Sequence, residues 1–312
     1  MKTGNLRKLL ILTMLITMTS IFACSGVRDV YEVSTEAKKS ITDLILPDDK
    51  PILKKKILIT PVIDRAGIST SLSEQTRQEC ISYLSKDEYL VISTLKNWND
   101  SESAFVQKEY GAVINPAYIK TAGEMGMNIL LACIIHPLEI TEKRTGIWPF
   151  RKDSHNVLVS VSINAVNTVD GTLLVYKDEN ENIDFGKVNE GENKEWVPDY
   201  NILKDEISSL IKKLCSTVID RLRKIPWQSR ADIDGDNLVI KAGKDIGIDQ
   251  NTIFELYQKG SSYESFSGEE YYTLGKKIGE TGIKTVSKNR AVLKGIKIGD
   301  YKDIIFVRAK RD

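Results

Sequence analysis

Residues that carry chemistry are scarce in this chain. Of 312 residues only two are histidine, His136 and His155, and neither stands at metal-ligand spacing from another histidine or a cysteine. The 20 glycines never fall into a G-x-G-x-x-G or G-x-x-x-x-G-K-[ST] frame, which removes the two common phosphate cradles. Forty-four Lys plus Arg balance 43 Asp plus Glu, so there is no basic excess of the kind that marks a nucleic-acid partner. Beyond the N-terminal 23 residues no apolar run approaches the ~20 residues of a membrane-spanning helix. Asp232-Ile233-Asp234-Gly235-Asp236-Asn237 crowds carboxylates in a turn, but its glycine is fourth and not sixth, and position twelve is Gly243, so it does not frame calcium. Asp64 and Asp170 read as turn residues. Together these absences point away from an enzyme, and they imply no metal and no cofactor.

What is present begins at the N-terminus. Lys2, Arg7 and Lys8 precede the apolar stretch Leu9 to Met18, too short to span a bilayer, so residues 1–23 read as a secretory signal. Its removal takes three basic residues and no acidic ones, leaving 41 Lys plus Arg against 43 Asp plus Glu, a net charge of −2. Ile21-Phe22-Ala23-Cys24 resembles the lipobox of bacterial lipoproteins. That resemblance implies lipidation of Cys24 on sulfur, and Ser25 in place of Asp implies sorting to the outer membrane, facing the periplasm. Each buried methylene contributes about 0.8 kcal/mol, so two or three acyl chains would hold the protein durably without a spanning helix. Cys80, Cys133 and Cys215 form an odd set of which at most one pair can bond, and they read as buried small hydrophobes.

Residues 24–51 read as the lipidated N-terminus and a tether. The strand Lys56 to Val62, a helix opened by a Ser71/Glu74 capping box, and the strand Tyr89 to Ile92 make a βαβ unit. Asn115-Pro116 starts a second helix that runs to Gly126. Met127 to Ile135 suits a strand covered on both faces, whereas Val157 to Ala165 alternates and is expected to expose one side. Asp170-Gly171 turns into Thr172 to Tyr176, and Lys177 to Glu195 reads as a polar interval. From Pro198-Asp199, Leu203, Ile207, Leu210, Ile211, Leu214, Val218 and Leu222 form one apolar stripe, stopped by Pro226. After a linker at 226–230, residues 231–312 carry five short strands between glycine turns, which suggests a small β-barrel. The fold class is therefore α+β: a mixed sheet covered by helices over 52–225, then a barrel.

Between two strong strands, Ile147, Trp148 and Phe150 ride with Lys143, Arg144, Arg151 and Lys152. Aromatics and arginine are the residue types of binding hot spots, so Trp148, Phe150, Arg144 and Arg151 are the candidate partner-binding residues. Lys56 to Asp64, Gly126 to Ala132, and Val159 to Leu174 are similar to landmarks of the CsgG-like and TolB-N-terminal-like periplasmic domains. Leu238 to Ile248, Phe254 to Tyr257 and Gly295 to Asp300 resemble the C-terminal, SH3-like domain of the flagellar assembly protein FlgT. These resemblances imply an assembly or scaffold factor working by contact with envelope or flagellar proteins, or with further copies of itself. The alternative they imply is a component of a CsgG-related export channel. Thr141 to His155 and Lys177 to Trp196 are too short or too charged to suit membrane insertion.

Overall fold

The computed structural model describes residues 53–95, 106–107, 113–150, 152–187, 198, 200–235, 237–265, 268–294 and 305–310. The signal, Cys24 and the 24–51 tether lie outside them, as does Arg151. Residues 52–312 form one compact unit.

The fold is α+β, built on a mixed sheet. β1 (Lys55–Ile59) runs parallel between β3 (Leu90–Thr94) and β6 (Ile129–Ile135), with Ile57 in register with Ile92 and Ile129. The short β2 (Ile63–Asp64) pairs with the far end of β6. The long β8 (Lys152–Asn167) is antiparallel to everything it touches: residues 161–167 to β6, residues 152–158 to β7 (Glu139–Thr145), and its other edge to β9 (Leu173–Lys187). Thus β6 and β7 follow one another along one edge of β8, and β9 continues through much of what reads as a polar interval. All seven residues of β6 are buried, as an unbroken apolar run in a two-faced sheet requires.

Helices α1 (Thr70–Leu84) and α3 (Tyr200–Lys224) cover one face, where Leu72, Cys80 and Leu84 meet Leu203, Ile207, Leu210, Ile211, Leu214 and Val218. The cap of α1 is Ser69 and not Ser71: its hydroxyl accepts from Leu72 N at 3.1 Å, and Glu74 instead accepts from Gln78 and Arg77. The cause lies upstream. Asp64 accepts the N–H groups of Ala66, Gly67 and Ile68 and the hydroxyl of Ser73, which orders the loop and starts the helix two residues early. The side of β8 expected to face solvent is also covered in part. Ser162 and Asn164 are fully buried, with His136 Nε2 reaching Ser162 Oγ at 2.9 Å from the end of β6.

On the opposite face Leu58, Leu130, Ala132 and Val166 pack against α2 (Pro116–Glu124), Ile114 of the short β5 (Val113–Ile114), which pairs with β4 (Val106–Gln107), and Tyr271 from the barrel. Asn115 caps α2 by accepting from Ala117 N at 2.9 Å. The helix stops at Glu124, before Gly126, whose φ of +73° reverses the chain.

The second sheet closes into a barrel in the order β10-β11-β14-β13-β12-β15, from β10 (Gln228–Asp234), β11 (Asn237–Ile240), β12 (Ile253–Glu264), β13 (Glu270–Val286), β14 (Ala291–Leu293) and β15 (Ile305–Ala309). It has six strands where the sequence suggests five. β10 starts at Gln228, within the 226–230 segment read as linker, and hides from a pattern search because only Ala231 of its seven residues is buried. Phe254, Leu256, Leu238, Ile240, Ile283 and Trp227 fill the interior, with the Trp227 and Phe254 rings 5.6 Å apart. Beyond the barrel, β12 and β13 continue as a paired arm whose bulges fall between Leu256 and Ser262.

Candidate functional site

The arm seats the barrel against the helical part. Tyr271 is 6% exposed and lies over Gly171, where an added Cβ would sit 2.6 Å from the ring; φ at Gly171 is +71°. Tyr263 donates its hydroxyl proton to the carbonyl of Asp170. Gly126 makes the other close approach, with a built Cβ only 2.6 Å from the carbonyl oxygen of Lys241. Asn128 accepts from Lys56 N at 2.9 Å and donates to Gln228 O at 2.8 Å, while Lys56 Nζ meets Asp245 at 2.7 Å. Leu53, just ahead of β1, is part of the barrel core. The hydrogen bonds and ion pair among these join residues 72 to 189 positions apart and leave no local sequence signal.

Against this body stands the β7–β8 hairpin. Seven pairs, Glu139↔Leu158 to Thr145↔Lys152, carry it outward, and β9 flanks β8 as far as Ser154↔Lys187. Gly146, at φ +103°, begins the turn, which contains a cis Trp148–Pro149 peptide and is closed by Phe150 N donating to Ile147 O at 2.6 Å. Ile147, Trp148 and Phe150 are 84%, 77% and 80% exposed. Among the described large apolar side chains none elsewhere exceeds 47%, so the tip is exceptional. Arg144 is exposed on β7, opposite Asp153. The structure therefore brings Trp148, Phe150 and Arg144 to one end of one hairpin and adds Ile147 as a third large apolar group.

The other candidates resolve into structural roles. Asp170 accepts from Thr172 N, Thr172 Oγ1 and Gln228 Nε2, so its carboxylate, like that of Asp64, is engaged in structural hydrogen bonds. Asp232 pairs with Lys241 at 3.2 Å and Asp234 with Arg290 at 2.6 Å, which turns the two carboxylates to separate partners. Among the described residues no group of three or more His, Cys, Asp or Glu is placed to hold a metal ion. Burial, aided by the Arg65 guanidinium, holds His136 below the ordinary imidazole range, and its Ser162 partner is fully enclosed. An open cleft of about 700 Å³ lies between sheet and barrel, lined by Lys56, Met125, Met127, Asp232, Asp234 and Arg290. Its charges pair with one another or with Lys241 and Asp245. Among the described residues no helix is long and apolar enough to cross a membrane.

No protein-family model matches the chain, and no curated protein matches it. Solved structures that align with it include a PelC dodecamer from Paraburkholderia phytofirmans, at 12% identity over 54% of this chain and 88% of that one, with a TM-score of 0.30. A lipoprotein from Neisseria meningitidis aligns at 12% identity over 55% and 99%, with a TM-score of 0.29. A minor lipoprotein from Acinetobacter baumannii aligns at 9% identity over 54% and 91%, with a TM-score of 0.26. These chains are similar to this one at a level too low to carry their roles across.

Proposed function

We propose that this chain is a non-enzymatic lipoprotein of the outer membrane, anchored through Cys24 and facing the periplasm. It acts there as an assembly or scaffold factor, by presenting the Ile147-Trp148-Phe150 tip to an envelope or flagellar protein. The observation that carries the reading is the exposure of those three side chains, each more than three-quarters open to solvent, at the end of a hydrogen-bonded hairpin. A tip held by strand pairing loses little conformational freedom on binding, so the aromatic area it buries is retained as affinity. Arg144 adds the residue type most often found beside aromatics in hot spots.

The test is a crosslinking pull-down from intact cells, comparing wild type with Trp148→Ala/Phe150→Ala. Hot-spot aromatics contribute about 2 kcal/mol or more each, so the double variant should lose its partner by well over 30-fold. Its melting temperature should not move, because exposed substitutions cost within about 0.5 kcal/mol. Cys24→Ala should release the protein from the membrane fraction without altering the tip. An unchanged set of captured proteins in the double variant would refute the binding site.

The alternative, an export-channel component, needs one of the segments Thr141 to His155 or Lys177 to Trp196 to cross a bilayer, and the first of these is this hairpin. β7 has seven residues, among them Glu139, Glu142, Lys143 and Arg144, against the ~9–11 alternating residues of a spanning strand. Recovery of nothing but large detergent-stable rings of this chain would nevertheless favour that reading.

A further inference from the structure

Three cysteines spread along the sequence converge in the core between the helices and the sheet. Cys80 Sγ on α1 lies 3.4 Å from Cys215 Sγ on α3 and 3.9 Å from Cys133 Sγ on β6. All three residues are at most 1% exposed. We propose that Cys80 and Cys215 are a disulfide-forming pair that staples α1 to α3 when the chain folds under oxidising conditions, with Cys133 as the thiol left over.

Geometry selects this pair. A disulfide needs its sulfurs about 2.0 Å apart, and the Cys80–Cys215 contact is the shorter of the two. It also joins two helices that lie on one face of the sheet, where side-chain rotation and a small helix adjustment can close the gap. Cys133 sits in mid-strand, opposite Ile163, in a ladder that continues on both sides of it, so its backbone has less room to move.

The surroundings favour this product over a trigonal metal–thiolate centre. Among the described residues no group of three or more His, Cys, Asp or Glu is placed to hold a metal ion, and the three thiols are within that search. A disulfide is neutral like the two thiols it replaces, so its formation adds no charge to a site that is at most 1% exposed.

Timing follows from burial. In the folded state no oxidant reaches the sulfurs, and hydrogen bonding with the neighbouring thiols, together with burial, pushes the Cys80 thiol well above its ordinary range. Cys80 is then a poor nucleophile, so the bond must form while the core is still open. With a small disulfide such as oxidised glutathione, one cysteine thiolate attacks to give a mixed disulfide, and the second displaces the remaining glutathione. Overall the two thiols lose two protons and two electrons, and one glutathione disulfide becomes two glutathione thiols. The proposal rests on the exported location only for where this happens in the cell.

The test refolds the chain carrying Cys24→Ser, so that the three core thiols are the only ones present, from denaturant in a mixture of oxidised and reduced glutathione, alkylates it in denaturant, and maps the peptides. The expected result is one linked peptide pair holding Cys80 and Cys215, an alkylated Cys133, and a chain two hydrogen atoms lighter than its reduced form. Cys133→Ala should form the same bond. In both proteins the linked form should melt at a higher temperature than the reduced form. Chain folded fully reduced should resist alkylation at all three sites until it is unfolded. Alkylation of all three cysteines after oxidative refolding, a bond that includes Cys133, or no gain in melting temperature would each overturn the proposal. A pair that forms on refolding but is found reduced in protein recovered from cells would count against the exported location and not against the pair.

Discussion

Replacing Tyr271 with alanine tests whether the barrel arm is part of the core of the helical half. The ring is 6% exposed, packs with Leu58, Leu130 and Val166, and lies over Gly171. The Arg230 guanidinium stands 5.6 Å from its centroid while donating to Val169 O at 2.9 Å. Truncating a buried aromatic costs about 3–5 kcal/mol when the site cannot collapse. Here the Gly171 backbone on one side and the sheet on the other hold the cavity open, and a cation–π contact of about 0.5–1 kcal/mol is lost as well. We expect a loss of about 4 kcal/mol, or roughly 10 °C in melting temperature for a unit of this size. Circular dichroism follows the helices, and tryptophan fluorescence follows the barrel in a background where Trp98, Trp148 and Trp196 are replaced by phenylalanine and Trp227 remains. Both should shift together, because the ring belongs to the helical half's buried cluster although it is carried by a barrel strand. Tyr272→Ala is the control. It is the next residue on the strand, only partly buried, and touched by Lys259, so it should cost about 1 kcal/mol or less. A Tyr271→Ala loss no greater than that of the control, or a barrel signal that moves alone, would refute the argument.

Two further outcomes follow from the same interface. Asn128→Ala removes the acceptor of the buried Lys56 N–H and the donor to Gln228 O, and should cost about 2–3 kcal/mol by denaturant titration, since a buried donor is left unpaired. Asn128→Asp should not rescue it, because a carboxylate cannot donate to Gln228 O. Burial, reinforced by Asp170, pushes the Tyr263 hydroxyl up to about 12 from its ordinary 10.0. The folded state therefore holds this proton more tightly than the unfolded state does. Its contribution is complete below pH 10 and is lost as pH rises to 12. In Tyr263→Phe the stability should fall less steeply over that interval, and the last phase of tyrosinate absorbance in the native protein should disappear. An unchanged alkaline profile would show that Tyr263 titrates normally.

Local pattern alone determined a large part of this protein. The stripe from Leu203 to Leu222 is α3 with every one of those residues buried, because a 3.6-residue repeat has one way to meet a sheet. The run Ile129 to Ile135 is buried throughout because a central strand with helices on one face and other cover on the opposite face sees no water. Asn115-Pro116 opens α2, and the Ile147-Trp148-Phe150 turn stands out from its composition before any coordinates are known. Tertiary structure alone decided the rest. β10 has a single buried residue and becomes a strand only because β11 and β15 supply its hydrogen-bond partners. Ser69 replaces Ser71 as the cap of α1 because Asp64 gathers the preceding loop. Tyr271 covers a sheet it does not belong to, Asn128 bridges β1 and β10, and three thiols meet from positions 53 and 135 residues apart. Each of these depends on contacts distant in sequence, and hydrophobic periodicity records only which side of an element is buried, not what will cover it.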